Sequence, residues 1–241
     1  MNIVRYMPFA RFVSCLKEKD GLFVPSPHLF DDQWEGRLPF QRLLAASRLE
    51  HKMALSEFQK FAKWMYVSCW HKHTHESFPM WKLYGQARDS ILIQTTKDKL
   101  QQAFINQYPS TLAYLNPVEY RAPEEPKLIN VIELNLTKVQ SLERAVNGGN
   151  YFPYLWFMFF KHITYRYEDE IRLVVLDPDY SNQIENPKKG VLLDIRSVPN
   201  FIEKIIVAPG VDEWFFQAVK DVTSRFGVDC EVVRSSLEIS E

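Results

Sequence analysis

Short apolar runs separated by turn residues dominate the pattern of this chain. Runs rich in Ile, Val and Leu predict strands, because branched side chains bounded by Gly, Pro, Asn or Asp are typical of sheets. The strands predicted in this way cover residues 3–7, 22–24, 65–70, 90–95, 128–134, 171–176, 191–195, 204–207 and 228–233. Apolar positions at helical spacing predict helices at residues 9–20, 40–63, 80–84, 97–107 and 212–226.

Along this pattern the short strands alternate with turns as often as with helices. Such an arrangement is typical of α+β proteins whose sheets are mostly antiparallel. No internal repeat, low-complexity segment or strong boundary divides the sequence. We therefore predict one α+β domain over residues 1–241, with mixed, mostly antiparallel sheets and flanking helices.

Composition excludes several classes of protein. The 29 basic and 30 acidic side chains nearly balance, so the bulk positive charge that drives nonspecific DNA binding is missing. The three cysteines are scattered without a C-x-x-C pair, which argues against a disulfide framework or a cysteine zinc site. No apolar run approaches the roughly 20 residues that span a bilayer. These features predict a cytoplasmic protein that has no membrane partner.

Charged side chains cluster at the entrance of the strand predicted at residues 171–176. In a strand that begins near Tyr167, alternation would place Glu168, Glu170 and Arg172 on one face. Two carboxylates that lie so near each other raise each other's pKa. An arginine two residues further on holds at least one of them ionised. We interpret the pair either as a site for proton or cation chemistry or as a structural salt-bridge network with Lys161 or Arg166.

Three histidines form a second cluster. In an extended chain His71, His73 and His75 would share one face, and imidazoles are common zinc ligands. Only Glu76 is spaced to complete a tetrahedral set, and the loop-like setting favours solvent-exposed side chains. We therefore predict no bound metal at these histidines.

Trp81 and Tyr84 lie three residues apart on a predicted helical turn and share one of its faces. Two aromatic rings can hold a planar group such as adenine or nicotinamide. Core packing is the alternative interpretation of the same spacing. The glycines of residues 147–150 fit no phosphate-binding motif, so the sequence predicts no phosphate loop.

Three motifs occur in chain order: F-x-D-x-x-E at residues 30–35, M-W-x-x-Y-G at residues 80–85 and Y-E-x-E-x-R at residues 167–172. Together with Lys161 and the segments 67–70 and 207–209, they make the sequence resemble a widespread uncharacterised bacterial family. The resemblance covers nearly the whole chain. It implies no settled activity.

A second, more distant resemblance is to ADP-ribosyltransferases. That family presents an Arg or His on the first strand, then a serine-containing strand, and finally an E-x-E at a strand entrance. Arg5, Ser68 and the pair Glu168-x-Glu170 occur here in that order. The sequence departs from the family pattern after Ser68, where Cys and Trp replace the expected Thr and Ser.

This second resemblance implies NAD as a substrate. Breaking the nicotinamide–ribose bond passes through an oxocarbenium-like state, which a nearby carboxylate stabilises. Glu170 would take this role, and Glu168 would orient or deprotonate the acceptor nucleophile. The cofactor-binding residues predicted with them are Arg5, Tyr6, Ser68, Trp81, Tyr84 and Arg172.

The leading hypothesis is an NAD-dependent ADP-ribosyltransferase with a central cleft, an effector of the toxin or phage-defence type. Its partners would be a macromolecular acceptor, protein or nucleic acid, and an antitoxin or another regulator. Two alternatives stay open: a noncatalytic module that binds a nucleotide, a peptide or a nucleic-acid end, and a hydrolase of nucleotides or nucleic acid. The transferase hypothesis requires Arg5, Ser68, Tyr84 and Glu170 to line one cleft, on one side of the sheet.

Overall fold

A large sheet is the main feature of the described part of the chain. The computed structural model describes residues 1–17, 21–30, 62–73, 75–85, 89–109, 113–122, 157–177, 179 and 188–237. The seven strands of the large sheet are β1 (Asn2–Pro8), β3 (Met65–His71), β4 (Ser90–Thr96), β5 (Ala113–Pro117), β8 (Glu170–Leu176), β10 (Lys204–Val207) and β11 (Glu231–Arg234). Their spatial order is β11-β10-β4-β1-β3-β8-β5. Neighbours in this sheet pair antiparallel, except that β10 and β11 are parallel.

Two small sheets and four helices complete the described elements. The first small sheet pairs β2 (Leu22–Pro25) with β9 (Gly190–Leu193), and the second pairs β6 (Glu119–Arg121) with β7 (Phe160–His162). The α-helices are α1 (Phe9–Leu16), α2 (Phe78–Tyr84), α3 (Lys97–Gln107) and α4 (Glu213–Arg225). Short 3₁₀ helices cover Pro27–Leu29, Phe157–Phe159, Ile163–Glu168 and Ile195–Ser197.

The large sheet buries side chains on both of its faces. On one face, Ile3 and Met7 of β1 pack with apolar residues of α1, α3 and α4 in the main core. On the other face, Val4 and Tyr6 pack with Trp81 of α2 in a smaller core. Successive residues of β1 therefore alternate between two apolar layers, as the period of two in a strand requires.

The predicted α+β class with a mostly antiparallel sheet is confirmed. Three described strands were missed by the apolar pattern, namely β5, β6 and β7. β5 lies at the edge of the large sheet, where it is partly exposed and ends in a proline, so it lacks the apolar composition of a central strand. One domain over residues 1–241 stays a prediction.

Several predicted features lie outside the described residues. They are most of the F-x-D-x-x-E motif at residues 30–35, nearly all of the helix at 40–63, the strand at 128–134 and the glycines of 147–150. In the described part of the chain, no helix is both long enough and apolar enough to cross a membrane.

We expect Gly85→Ala to destabilise the contact between the end of α2 and β4. A Cβ at residue 85 would lie 2.5 Å from the Trp81 carbonyl oxygen and 2.6 Å from Ser90 Oγ, so α2 would have to shift. Crowding of this kind typically costs about 1–3 kcal/mol. The loss should appear as a lower urea midpoint. An unchanged midpoint would show that α2 is free to move at this end.

Candidate active site

Three neighbouring strands carry the candidate site on one face of the large sheet. His71 of β3 lies opposite Glu170 of β8, and Val4 of β1 lies opposite His71. Side chains directly opposite each other in an antiparallel pair lie on the same face. Because Val4 belongs to the smaller core, His71 and Glu170 lie on the face that α2 covers.

A left-handed turn brings Glu168 beside Glu170. The 3₁₀ helix Ile163–Glu168 is followed by its C-cap residue Asp169, whose φ of 40° is in the left-handed region. β8 begins at Glu170, so the two glutamates do not alternate along one strand. The alternation argument, which assumed a strand start near residue 167, therefore does not apply, whereas the strand predicted at residues 171–176 matches β8. The carboxyl groups share one site because the turn at Asp169 places both of them beside Lys161.

Lys161 of β7 joins the two carboxyl groups. Its Nζ donates to Glu168 Oε2 at 2.5 Å and to Glu170 Oε1 at 3.2 Å. Arg172 Nε donates to Glu170 Oε2 at 2.6 Å. The Tyr84 hydroxyl donates to Glu168 Oε1 at 2.8 Å. Each of the four carboxyl oxygens therefore has a donor, which is how buried polar groups are normally accommodated.

The cluster lies almost entirely out of water. The side chains of Lys161, Glu168, Glu170 and Arg172 are between 1 and 4% exposed. Tyr84 is its link to the surface, since this residue is 39% exposed while its hydroxyl reaches Glu168. Burial raises the pKa of Tyr84 above its ordinary range, so the hydroxyl remains a hydrogen-bond donor.

The two glutamates differ in how they hold a proton. Burial, together with the hydrogen bond and the negative charge of Glu170, raises the pKa of Glu168 to about 8, although Lys161 opposes this change. Burial also disfavours the charged form of Glu170, but the positive charges of Arg172 and Lys161 outweigh it and lower the pKa of Glu170. At neutral pH the site therefore contains one carboxylic acid and one carboxylate.

Aromatic side chains stand beside the pair on the same face. Tyr6 meets Trp81 edge to face at 4.9 Å between ring centroids, and it meets His71 in the same way at 5.6 Å. The His71 and Tyr84 rings are 6.1 Å apart. Trp81 is buried in the smaller core and donates to Glu76 at 3.1 Å. Of the predicted aromatic pair, Tyr84 alone therefore combines exposure with contact to a glutamate.

Arg5 and Ser68 lie on the opposite face of the sheet from Glu170. Arg5 follows Val4 in β1 and so points the other way, towards the main core. There it donates to Ser68 Oγ at 3.0 Å, as Trp70 Nε1 does from the same strand as Ser68. The prediction that Arg5, Ser68, Tyr84 and Glu170 line one cleft is wrong, because strand alternation separates them.

The three histidines do not converge. His71 is buried, and its Nδ1 donates to the Glu168 carbonyl oxygen. His73 is exposed and pairs with Asp169 at 2.8 Å, while its ring lies 4.6 Å from that of His75. The shared face that alternation suggested is absent because β3 ends at His71. Within the described ranges, no three His, Cys, Asp or Glu side chains come together as metal ligands.

Sequence reasoning considered His71 only as a metal ligand and Lys161 only as a possible ion-pair partner or family motif residue. Both prove to be central to the site, His71 through Glu168 and Lys161 through both glutamates. The available signal for Lys161 was its spacing, seven and nine residues before the two acids. No comparable signal existed for His71, because its neighbour across the sheet is almost 100 residues away in sequence.

One family model matches the chain. Residues 80–173 match "Protein of unknown function (DUF2971)". The matched segment starts within α2 and ends in β8, so it contains the motifs at residues 80–85 and 167–172 and every charged member of the site. No match was found among curated proteins or among solved structures.

We expect Glu168→Gln to change how stability depends on pH. Folded Glu168 keeps its proton up to about pH 8, whereas unfolded glutamate loses it near 4.5. Between these values the unfolded chain releases a proton that the folded chain holds, so wild-type stability falls by about 1.4 kcal/mol per pH unit from this group. Glutamine has no such proton and lacks this decline.

The measurement is the free energy of unfolding in urea from pH 5 to 8, plotted as variant minus wild type. Glu170 does not disturb this window, because its lowered pKa contributes stability that is present above about pH 4.5 and lost below it. Other groups titrate alike in both proteins and cancel. A flat difference curve would mean that Glu168 is already ionised at pH 5.

Proposed function

We propose that the chain is an enzyme that breaks a glycosidic bond of a nucleotide, with Glu170 as the charged carboxylate and Glu168 as the proton-bearing acid. The observation that carries this proposal is the pair itself, two hydrogen-bonded carboxyl groups whose pKa values are displaced in opposite directions. Pairs of this kind divide the work of acid and anion in enzymes that cleave glycosidic bonds.

Glu170 has the features needed to stabilise positive charge on the sugar. Arg172 and Lys161 fix both of its oxygens, so the carboxylate is preorganised and does not reorient during reaction. An oxocarbenium-like state at C1′ would gain from that negative charge in a site with little water.

Glu168 has the features of a general acid. A neutral base such as adenine leaves C1′ poorly unless its ring nitrogen receives a proton, and Glu168 holds one at neutral pH. Nicotinamide differs, because its ring nitrogen is positively charged in NAD and becomes neutral when the bond breaks. Release of nicotinamide therefore needs Glu170 but no proton from Glu168.

Tyr84 supports a nucleotide as the substrate. Its exposed ring can stack on a planar base, while its hydroxyl is anchored to Glu168. Trp81 is a poorer candidate for stacking because it is buried and bonded to Glu76. Arg172 is bonded to Glu170 and to the Met158 carbonyl oxygen, so it orients the carboxylate and we assign it no cofactor contact.

ADP-ribosyl transfer from NAD to a macromolecule is a narrower form of the same chemistry. The arrangement of residues that the sequence predicted for this transfer is not found. Arg5 and Ser68 lie on the opposite face of the sheet from Glu170, so they cannot hold the pyrophosphate beside it. NAD remains a substrate to test through Glu170 and Tyr84. An effector role in toxicity or defence would depend on that result.

A structural role for the cluster is the second candidate. Full hydrogen bonding of all four carboxyl oxygens and near-complete burial favour it, because ion-pair networks that hold a fold together also shift pKa values. The chain would then be a noncatalytic module that binds a nucleotide, a peptide or a nucleic-acid end.

We expect two isosteric variants to separate the glutamates' roles when adenine release from AMP and nicotinamide release from NAD are both measured. Glu170→Gln removes the charge that faces the oxocarbenium ion and should lower both rates by roughly 10²-fold or more. Glu168→Gln removes only the proton donor, so it should lower adenine release by about 10²-fold and spare nicotinamide release.

Glu203→Gln is the matched control, because Glu203 forms a partly exposed ion pair with Lys99 at the other end of the sheet's strand order. It should leave both rates unchanged. If wild-type protein releases neither base, and if both active-site variants melt at lower temperature, the cluster is structural and the enzymatic proposal fails.

A further inference from the structure

His71 has a fixed orientation within the site. Its Nδ1 must carry the proton, since it faces the carbonyl oxygen of Glu168, which can only accept. In the neutral ring this leaves Nε2 as an acceptor. No described residue donates a hydrogen bond to Nε2. Nε2 is also not one of the described polar atoms that are fully buried without a hydrogen-bond partner. The ring is thus a base whose lone pair accepts no hydrogen bond from the described residues.

The surroundings of His71 keep that base neutral. Burial lowers the pKa of His71, and the nearby charges of Lys161 and Arg5 act in the same direction, while the Glu168 hydrogen bond and the charge of Glu170 oppose them. The rings of Tyr6 in β1 and Tyr84 in α2 lie 5.6 and 6.1 Å from the His71 ring, and both carry no charge at neutral pH because burial raises their pKa. A neutral imidazole that is oriented through one nitrogen is the common form of a histidine base.

The proposed reaction needs such a base. The attacking water or alcohol must lose a proton, but Glu168 already holds one, and Glu170 has both oxygens bound to cations. Among these three groups, His71 is the one that can accept a proton at neutral pH.

We propose that His71 is the general base that activates the attacking hydroxyl, an assignment that rests on the proposed function. The proton of the attacking O–H passes to His71 Nε2, and the oxygen forms a bond to C1′. The C1′–N bond breaks, and its electron pair stays with the ring nitrogen of the leaving base. From NAD this gives neutral nicotinamide and ADP-ribose when water attacks. From a nucleoside monophosphate, the proton of Glu168 also passes to the leaving base.

The test is His71→Asn, assayed as hydrolysis of NAD and of AMP over pH 5 to 9. Asparagine can still donate to the Glu168 carbonyl oxygen from its Nδ2 but has no group in place of Nε2. We expect kcat to fall by about 10²-fold or more with KM little changed. The wild-type rate should fall towards the acid end of this range, because burial moves the pKa of His71 below the ordinary histidine range, and this acid limb should be absent from the variant. Added imidazole should restore part of the rate.

His75→Asn is the matched control, because this exposed histidine contacts the ring of His73 and lies outside the site. It should keep the wild-type rate and the acid limb. Should His71→Asn fail to fold, the wild-type acid limb and His71→Gln, which also lacks a basic nitrogen, provide the same test.

Two failures can be told apart. A wild-type protein that releases no base from either substrate overturns the proposed function, and the role of His71 with it. An active wild type whose acid limb survives unchanged in His71→Asn, or a variant that imidazole does not rescue, overturns the role of His71 alone and leaves the glutamates in place.

Discussion

The burial of two carboxyl groups with two cations is the constraint on which the site depends. Removing a charge from water costs several kcal/mol per ion unless opposite charges and hydrogen bonds compensate. Among the described residues, Glu170 pairs with two cations, Lys161 and Arg172, whereas Glu168 pairs with Lys161 alone. A proton bound to Glu168 removes the less well compensated charge and the repulsion between the two carboxylates. The unequal division of cations therefore decides which glutamate is the acid.

The turn at Asp169 makes this division possible. A left-handed backbone costs an ordinary residue about 1–2 kcal/mol, yet several contacts hold it here. Lys72 and His73 bind the Asp169 side chain at 2.7 and 2.8 Å, and the Lys72 amide donates to its carbonyl oxygen at 3.1 Å. On the other side, the Glu170 amide donates to the Tyr120 hydroxyl. Strain at one residue thus positions two catalytic candidates, as is common in functional sites.

Sequence patterns predicted the strands well and the site only in part. Central strands such as β4 and β8 are apolar because both of their faces are buried, so their composition reveals them. The alternation of side chains along β1 shows that Arg5 and Tyr6 point to opposite faces of the sheet. It does not show which of them lies on the same face as Glu170. That depends on how β1 pairs with β3 and β3 with β8, and these registers are set by contacts between distant segments. For this reason the resemblance to ADP-ribosyltransferases wrongly implied that Arg5 and Ser68 lie on the same face as Glu170.

Stability alone gives a weak reason for such a cluster. Apolar residues of similar volume often replace a buried ion pair at no cost, or with a gain in stability. A cluster kept only for stability would also be served equally well by two ionised glutamates, each with its own cation. Here Glu168 instead shares its cation, holds a proton near neutral pH and accepts a hydrogen bond from Tyr84, a side chain that reaches the surface. A protonated carboxyl group that is buried but hydrogen-bonded to a surface side chain can serve a reaction, whereas it adds little to the stability of the fold.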